Sequence, residues 1–296
     1  MPITRREFLA GSTAVVAAAP LVAMEPIRRS GKQVLKLSLA GYSMRQHLSG
    51  STDRQGAIDL NGFVDYCGSL GLDGAEPTSY YFPKPVTADF LNQLKRRAHV
   101  LGLDISGGAI TNNYTLPPGP DLDKHIRHTE TWIDHYAQLG APVIRVFAGP
   151  PPKDTPKKVA IDRCITVLEQ VCETAGRRGI MLALENNNFT RDVDILLEIV
   201  KGVQSPWFGV NFDSGNLDGL DPYAEMAKMA PYAVNAQIKE AVHPINRPAQ
   251  PADLNRVVSI LRDAGYSGYL VLEYEGKPDP YEGVPFYIEK LRRAIG

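Results

Sequence analysis

Acidic side chains follow short apolar runs at three places in the second half of the sequence. Glu185 closes Leu-Ala-Leu-Glu, Asp213 follows Val-Asn-Phe, and Glu273 follows Val-Leu. A charged group at the end of an apolar strand is costly to desolvate unless a cation or hydrogen bonds compensate it. Three carboxylates that meet at one place repel one another, and the simplest compensation is a bound divalent metal. The pattern therefore indicates a metal centre, provided that the fold brings these residues together.

The elements that must position them alternate regularly from residue 34 onward. The predicted strands cover residues 35–41, 72–77, 103–111, 142–148, 180–186, 208–212, 233–239 and 269–275. The predicted helices cover residues 57–70, 87–101, 122–139, 156–178, 192–200, 222–229, 251–264 and 281–295. Eight strand–helix units over about 260 residues predict an α/β protein with a single (β/α)8 TIM barrel domain, residues 34–296. A doubly wound sheet is the alternative, but residues 39–44 contain no glycine-rich phosphate loop.

The chemistry of such a barrel lies at the carboxyl ends of its strands. The polar residues at or just after those ends include Glu76, Asn112, Arg145, Glu185, Asn187, Asp213, Asn216, Gln237, Lys239, His243 and Glu273. Lys239 points to the same side as Gln237 by strand alternation, which favours an inward direction for both. Two alternatives stay open at this stage. Gln237 fits an inward filler hydrogen-bonded to its neighbours, and Glu76 fits an ion-pair partner of Arg145.

The last four strand ends, taken in order, resemble those of the xylose isomerase-like barrel superfamily, and the likeness extends over the chain after residue 34. The segments are Leu-Glu-Asn-Asn, Asn-Phe-Asp-Ser-Gly-Asn, Gln-Ile-Lys-Glu and Val-Leu-Glu-Tyr-Glu-Gly. That superfamily includes sugar isomerases and epimerases, inosose dehydratase and endonuclease IV. The resemblance implies that Glu185, Asp213 and Glu273 hold a divalent metal together with a residue of the seventh strand. It also implies that the two glutamates flank a sugar as its acid and base.

The sequence departs from the family pattern on the seventh strand. The usual His-x-Lys-Asp is replaced by Gln237-Ile-Lys239-Glu240, and Asn187 stands where a histidine is common. With Gln237 as fourth ligand the metal site contains only oxygen atoms, which favours Mn²⁺ or Mg²⁺ and leaves Co²⁺ and Zn²⁺ open. The loss of imidazoles places the proton transfers on Glu185 and Glu273, with Lys239 as a third catalytic candidate. The expected substrate contacts are Glu76, Asn112, Arg145, Asn187, Asn216 and His243.

The function that follows from the resemblance is a metal-dependent sugar isomerase or epimerase that works through an enediolate. The substrate class is a small unphosphorylated sugar or keto-sugar. A lyase or dehydratase acting on keto-sugars or 3-keto-glycosides is one alternative, and a non-catalytic sugar-binding barrel is another. The net charge of −1 provides no general basic field for nucleic acid. None of the six histidines stands at a strand end, as a histidine-rich multi-zinc endonuclease site requires.

The first 26 residues are typical of an export signal. Arg5 and Arg6 precede an uncharged run over residues 8–24, and the surrounding segment resembles a twin-arginine signal. We therefore expect a folded protein exported to the periplasm or secreted. No second long apolar run follows, so no stable membrane insertion is expected after signal removal, and the oligomeric state, a homo-oligomer included, is left open.

Overall fold

Nine strands form one parallel sheet at the centre of the structure, a computed structural model that describes residues 24–48 and 57–296. With a separate pair of short strands, the described residues form eleven strands in all: β1 Leu35–Ala40, β2 Gly74–Glu76, β3 Asp104–Ile105, β4 Gly108–Ala109, β5 Val143–Val146, β6 Met181–Glu185, β7 Phe208–Asp213, β8 Ala233–Ile238, β9 Ala241–Val242, β10 Gln250–Pro251 and β11 Gly268–Leu272. The helices are α1 Leu60–Ser69, α2 Ala88–Val100, α3 Pro120–Leu139, α4 Lys157–Arg177, α5 Val193–Gly202, α6 Pro222–Met229, α7 Leu254–Asp263 and α8 Pro280–Ile295.

The order of the sheet is β3-β2-β1-β11-β8-β7-β6-β5-β4, while β9 and β10 form a separate antiparallel pair. Strands β1 and β11, the first and last of the sheet along the chain, pair with each other in parallel. Consecutive parallel strands joined by helices therefore run around a nearly closed barrel, and the predicted (β/α)8 architecture is confirmed.

The third predicted strand is interrupted, because its two halves pair with different neighbours. Strand β3 pairs with β2, and β4 pairs with β5. The Tyr136 hydroxyl from α3 lies in the gap between them, where it accepts from the Ala109 N–H (3.2 Å) and donates to the Pro77 carbonyl (2.7 Å). A Cβ on Gly108 would lie 2.3 Å from the Tyr136 ring. Glycine at this position therefore allows a helix side chain to replace missing ladder hydrogen bonds.

The helices cover the barrel with one apolar face each. In α7 the buried residues are Leu254, Val257, Val258 and Leu261, which is the spacing of a single helical stripe. The Asp253 side chain accepts from a backbone N–H of the first turn of α7 and so caps its N-terminus. Similar caps begin α1, α2, α5, α6 and α8. The strand ends are thus held by a rigid shell.

Residues 1–23 of the predicted export signal lie outside the described residues. Residues 24–30 contain no helix or strand, and among them Arg29 donates to the Ala233 carbonyl (2.6 Å) at the start of β8 and stacks over the Tyr266 ring. Among the described residues, no helix is both long and apolar enough to span a membrane. The three cysteines, Cys67, Cys164 and Cys172, are free and buried in the core.

Candidate active site

Arg145 and Glu185 form a buried ion pair at the carboxyl end of the barrel. The Arg145 Nε lies 2.9 Å from Glu185 Oε2, and both side chains are almost fully buried. The Glu185 Oε1 atom accepts from the side-chain amides of Asn187 (2.9 Å) and Asn216 (3.1 Å). The Arg145 guanidinium also donates to the Ile110 carbonyl (2.7 Å). Both carboxyl oxygens of Glu185 therefore have partners within the protein, Oε1 through hydrogen bonds and Oε2 through the ion pair with Arg145.

Lys239 stands among three carboxyl groups on the opposite side of the site. Its Nζ lies 2.8 Å from Glu273 Oε2, 2.6 Å from Glu275 Oε1 and 3.4 Å from Asp213 Oδ2. The side chain of Lys239 is 6% exposed, and that of Asp213 is not exposed at all. The Glu275 side chain is 40% exposed and lies at the rim. The ammonium group is thus the counter-ion of this acidic cluster.

Both carboxyl oxygens of Asp213 contact donors of the protein. Its Oδ1 accepts from the backbone N–H groups of Gly215 (2.7 Å) and Asn216 (2.9 Å). Its Oδ2 accepts from the Asn216 side-chain amide at 3.0 Å and faces Lys239. The same Asn216 amide bonds Glu185, so one asparagine joins the two acidic groups. This connection fixes the spacing between the ends of β6 and β7.

Below the mouth, four buried side chains form a closed ring of hydrogen bonds. Gln237 donates to Glu76 (2.6 Å) and accepts from Asn211 (2.7 Å). Asn235 donates both to Glu76 (2.9 Å) and to Asn211 (2.8 Å). A carboxylate only accepts, so Glu76 sets the direction of the whole ring. The structure shows Gln237 as an inward side chain that is hydrogen-bonded to its neighbours. For Glu76, the ion pair with Arg145 is not formed, because Arg145 pairs with Glu185 instead.

Four buried carboxyl groups face only two buried cations, so they cannot all ionise without a large uncompensated charge. Burial raises the pKa of Glu76 to about 7, that of Glu185 to about 8 and that of Asp213 to about 6. Burial also acts to raise the pKa of Glu273, but Lys239 and Arg145 outweigh it and lower that pKa. Among these four groups Glu273 is thus the one whose pKa is lowered, whereas burial opposes the ionisation of Glu76, Glu185 and Asp213.

A cavity of about 290 Å³ opens above these groups. Of the residues predicted from the sequence, the cavity is lined by Arg145, Glu185, Asn187, Asn216, Lys239 and Glu273. The other lining residues are Tyr42, Tyr80, Phe147 and Glu275. Phe147 was missed, although it lies two residues after the inward Arg145, and strand alternation could have found it. Its ring packs 4.0 Å from the centre of the Arg145 guanidinium.

The remaining predicted contacts lie away from the cavity wall. Asn112 makes two hydrogen bonds to the backbone of Phe147, at 2.6 and 2.9 Å, and so positions that ring. His243 Nδ1 lies 3.3 Å from the Gly215 carbonyl. Glu76, Asp213 and Gln237 lie beneath the cavity rather than in its wall. These five residues support the site without facing its open space.

The arrangement does not fit the expected divalent metal. The oxygens of Glu185 and Asp213 face protein donors, and the Gln237 amide oxygen accepts from Asn211. Lys239 places a positive charge between Asp213 and Glu273, where the metal was expected. Within residues 24–48 and 57–296, no group of three or more His, Cys, Asp or Glu side chains could hold a metal ion.

The family of the chain emerges from comparison with known proteins. The family model described as Xylose isomerase-like TIM barrel matches residues 64–293. No curated protein matches the sequence at a significant level.

Solved structures show the same fold at low sequence identity. A xylose isomerase domain protein from Planctomyces limnophilus is 16% identical with a TM-score of 0.67, covering 89% of this chain and 98% of the other. D-psicose 3-epimerase from Clostridium cellulolyticum H10 is also 16% identical with a TM-score of 0.67 (88% and 99%). The 3-keto-D-glucoside 4-epimerase from E. coli is 15% identical with a TM-score of 0.63 (88% and 100%). Since the family model covers most of the sequence, the chain belongs to the Xylose isomerase-like TIM barrel family.

Proposed function

We propose that the protein is a sugar isomerase or epimerase that acts on an unphosphorylated sugar or keto-sugar through an enediolate. The observation that carries this proposal is the placement of Glu185 and Glu273 in the wall of one cavity. Both carboxyl groups face the same space as the two buried cations, Arg145 and Lys239. Such a site can move a proton to and from a carbon and compensate the charge that forms on the neighbouring oxygen.

The lining of the cavity suits a monosaccharide. A sugar ring has apolar C–H faces and a rim of hydroxyl groups. The aromatic rings of Tyr42, Tyr80 and Phe147 offer apolar surface, while Asn187 and Asn216 offer amide groups. Two of the similar structures are a D-psicose 3-epimerase and a 3-keto-D-glucoside 4-epimerase, which supports the same substrate class here.

The order of proton transfers follows from the two carboxyl groups. Glu273, whose pKa is lowered, takes the proton from the carbon beside the carbonyl. The electron pair moves onto the carbonyl oxygen, and the ammonium of Lys239 and the guanidinium of Arg145 compensate its charge. Glu185, whose pKa is raised to about 8, returns a proton to the carbon skeleton. Return to the opposite face of the same carbon gives an epimer. Return to the neighbouring carbon gives an isomer when the hydroxyl proton of the first carbon also moves to the former carbonyl oxygen.

The decisive experiment uses NMR to measure the exchange of a sugar C–H proton with deuterated water on a panel of ketoses and 3-keto-glycosides. Wild-type protein should catalyse the exchange, while Glu185→Gln and Glu273→Gln should each reduce the rate by about 10² or more. The exposed Glu282 on α8 provides the matched control, Glu282→Gln, which should exchange at the wild-type rate.

The panel also separates the alternative functions. Loss of a β-substituent during exchange would identify a lyase or dehydratase. Saturable sugar binding without exchange on any member of the panel would overturn the proposal in favour of a non-catalytic sugar-binding barrel.

We further propose export of the folded protein by the twin-arginine route to the periplasm or outside. Arg5 and Arg6 and the uncharged run over residues 8–24 support this proposal. Replacement of Arg5 and Arg6 by lysine should retain the protein in the cytoplasm, and cell fractionation followed by immunoblotting measures the change. Unchanged export would contradict the assignment.

A further inference from the structure

Lys239 is the centre of the acidic cluster rather than a side chain at its edge. Its ammonium contacts Glu273 and Glu275 at 2.8 and 2.6 Å and faces Asp213 at 3.4 Å. These three carboxyl groups come from the ends of two strands, β7 and β11, and from the loop that follows β11. A single cation thus joins groups that would otherwise repel one another.

The path of the lysine side chain is shaped by its neighbours. The Lys239 backbone N–H donates to Ser214 Oγ at 2.8 Å. A Cβ on Gly215 would lie 3.0 Å from both Cγ and Cδ of Lys239, so the absence of a side chain there leaves room for the lysine stem. The loop after β7 is therefore built to receive this side chain, and it directs the ammonium toward the carboxylates.

We propose that, with Gln237 in place of the family's histidine, the ammonium of Lys239 takes the place of the divalent cation that the family resemblance implies, so that this site carries its own built-in cation. The donors expected for a metal already face protein hydrogen-bond donors, as Gln237 does with Asn211. A divalent ion placed between Asp213 and Glu273 would also be repelled by the ammonium at short range. Removal of the lysine side chain should release a carboxylate site that a metal can enter.

The catalytic part of this inference rests on the proposed function. Lys239 lines the cavity, and only two of its three carboxylate contacts are short. Its partner Glu275 is 40% exposed and can turn toward solvent. A substrate oxygen that enters the cavity can therefore accept a hydrogen bond from the ammonium, as it would otherwise bind a metal.

The test is direct binding of Mn²⁺, measured by electron paramagnetic resonance on wild-type protein, Lys239→Ala and the control Lys277→Ala. Lys277 is an exposed lysine of the loop after β11 that does not line the cavity. Wild type and Lys277→Ala should show no saturable binding, whereas Lys239→Ala should bind Mn²⁺ saturably and at least about tenfold more tightly than any residual binding to the wild type. Adding Asp213→Asn to Lys239→Ala should abolish the new site, which locates the ion in the cluster.

Two results would overturn the inference. One is saturable Mn²⁺ binding by the wild type that Asp213→Asn removes. This measurement does not require that Lys239→Ala folds. The other is a Lys239→Ala protein with wild-type circular dichroism that binds no Mn²⁺. The binding arm does not depend on the reaction, so a failed exchange assay with the expected Mn²⁺ pattern would reject the proposed function alone. If exchange occurs, chelation of metals by EDTA should leave its rate unchanged, and a loss of activity that Mn²⁺ restores would reject the built-in cation.

Discussion

Glu76 is a fully buried carboxyl group whose titration should appear in the stability of the whole barrel. It accepts hydrogen bonds from Asn235 and Gln237 at 2.9 and 2.6 Å. Burial nevertheless raises its pKa from 4.5 to about 7. In the unfolded chain the group returns to its ordinary pKa, so the two states bind different numbers of protons between these values.

The sign of the effect follows from that difference. Between the two pKa values the native state holds a proton that the unfolded chain has released. The free energy of unfolding therefore decreases as the pH rises through this window. The shift corresponds to a loss of about 3 kcal/mol from Glu76 between the acidic and the alkaline side.

Urea unfolding of wild-type protein and Glu76→Gln at a series of pH values measures this contribution. The amide does not titrate, but its NH₂ group faces an amide donor of the ring, which adds a penalty independent of pH. The stability of the wild type relative to the variant should fall by about 3 kcal/mol from pH about 4 to pH about 8. Contributions from Glu185 and Asp213 largely cancel in the comparison. Parallel stability curves would refute the reasoning, and Glu282→Gln should give such parallel curves.

Two further predictions concern packing around the site. Gly108→Ala should lower the free energy of unfolding by about 2–3 kcal/mol, since the new Cβ would lie 2.3 Å from the Tyr136 ring. The control Gly68→Ala in α1 should not destabilise the protein, because its new Cβ would have its nearest neighbours at 3.5 Å. Urea unfolding compares the two, and an unaffected Gly108→Ala would contradict this account of the third strand. Phe147→Ala should weaken sugar binding about fivefold to tenfold in calorimetry, because it removes an aromatic wall of the cavity and the ring beside Arg145. An unchanged Kd would exclude Phe147 from the binding surface.

The fold could be predicted because its signals are local. Each barrel strand is a short apolar run, and several helices end at a glycine in the left-handed region, as Gly140 does after α3 with a φ of 92°. The interruption of the third strand could not be predicted in this way. It depends on the Tyr136 hydroxyl, which reaches Pro77 and Ala109 from a helix distant in the sequence.

For the site, the sequence predicted which residues meet but not which of them pair. The barrel collects the ends of its strands, so Glu185, Lys239 and Glu273 could be placed at one mouth before the structure was known. The ion pairs between these residues could not be predicted, because they depend on how far each side chain extends from its backbone. A lysine stem is long enough to bring its ammonium among the carboxylates, whereas the shorter Gln237, two residues earlier on the same strand, ends beside Glu76. In the structure, the side chains predicted as metal ligands contact other residues of the protein.

Strand β8 and the residue after it connect the two polar layers of the barrel. Asn235 and Gln237 belong to the hydrogen-bonded ring, and Lys239 follows at the same alternation in the acidic cluster above. A buried polar ring is costly unless every member is satisfied, and this ring is closed only with an acceptor at Glu76. The register of β8, and with it the height of Lys239 in the mouth, is thus tied to a carboxyl group that never faces the cavity. Substitution of Glu76 should therefore alter the site as well as the stability, since the ring that holds the strand beneath Lys239 loses its common acceptor.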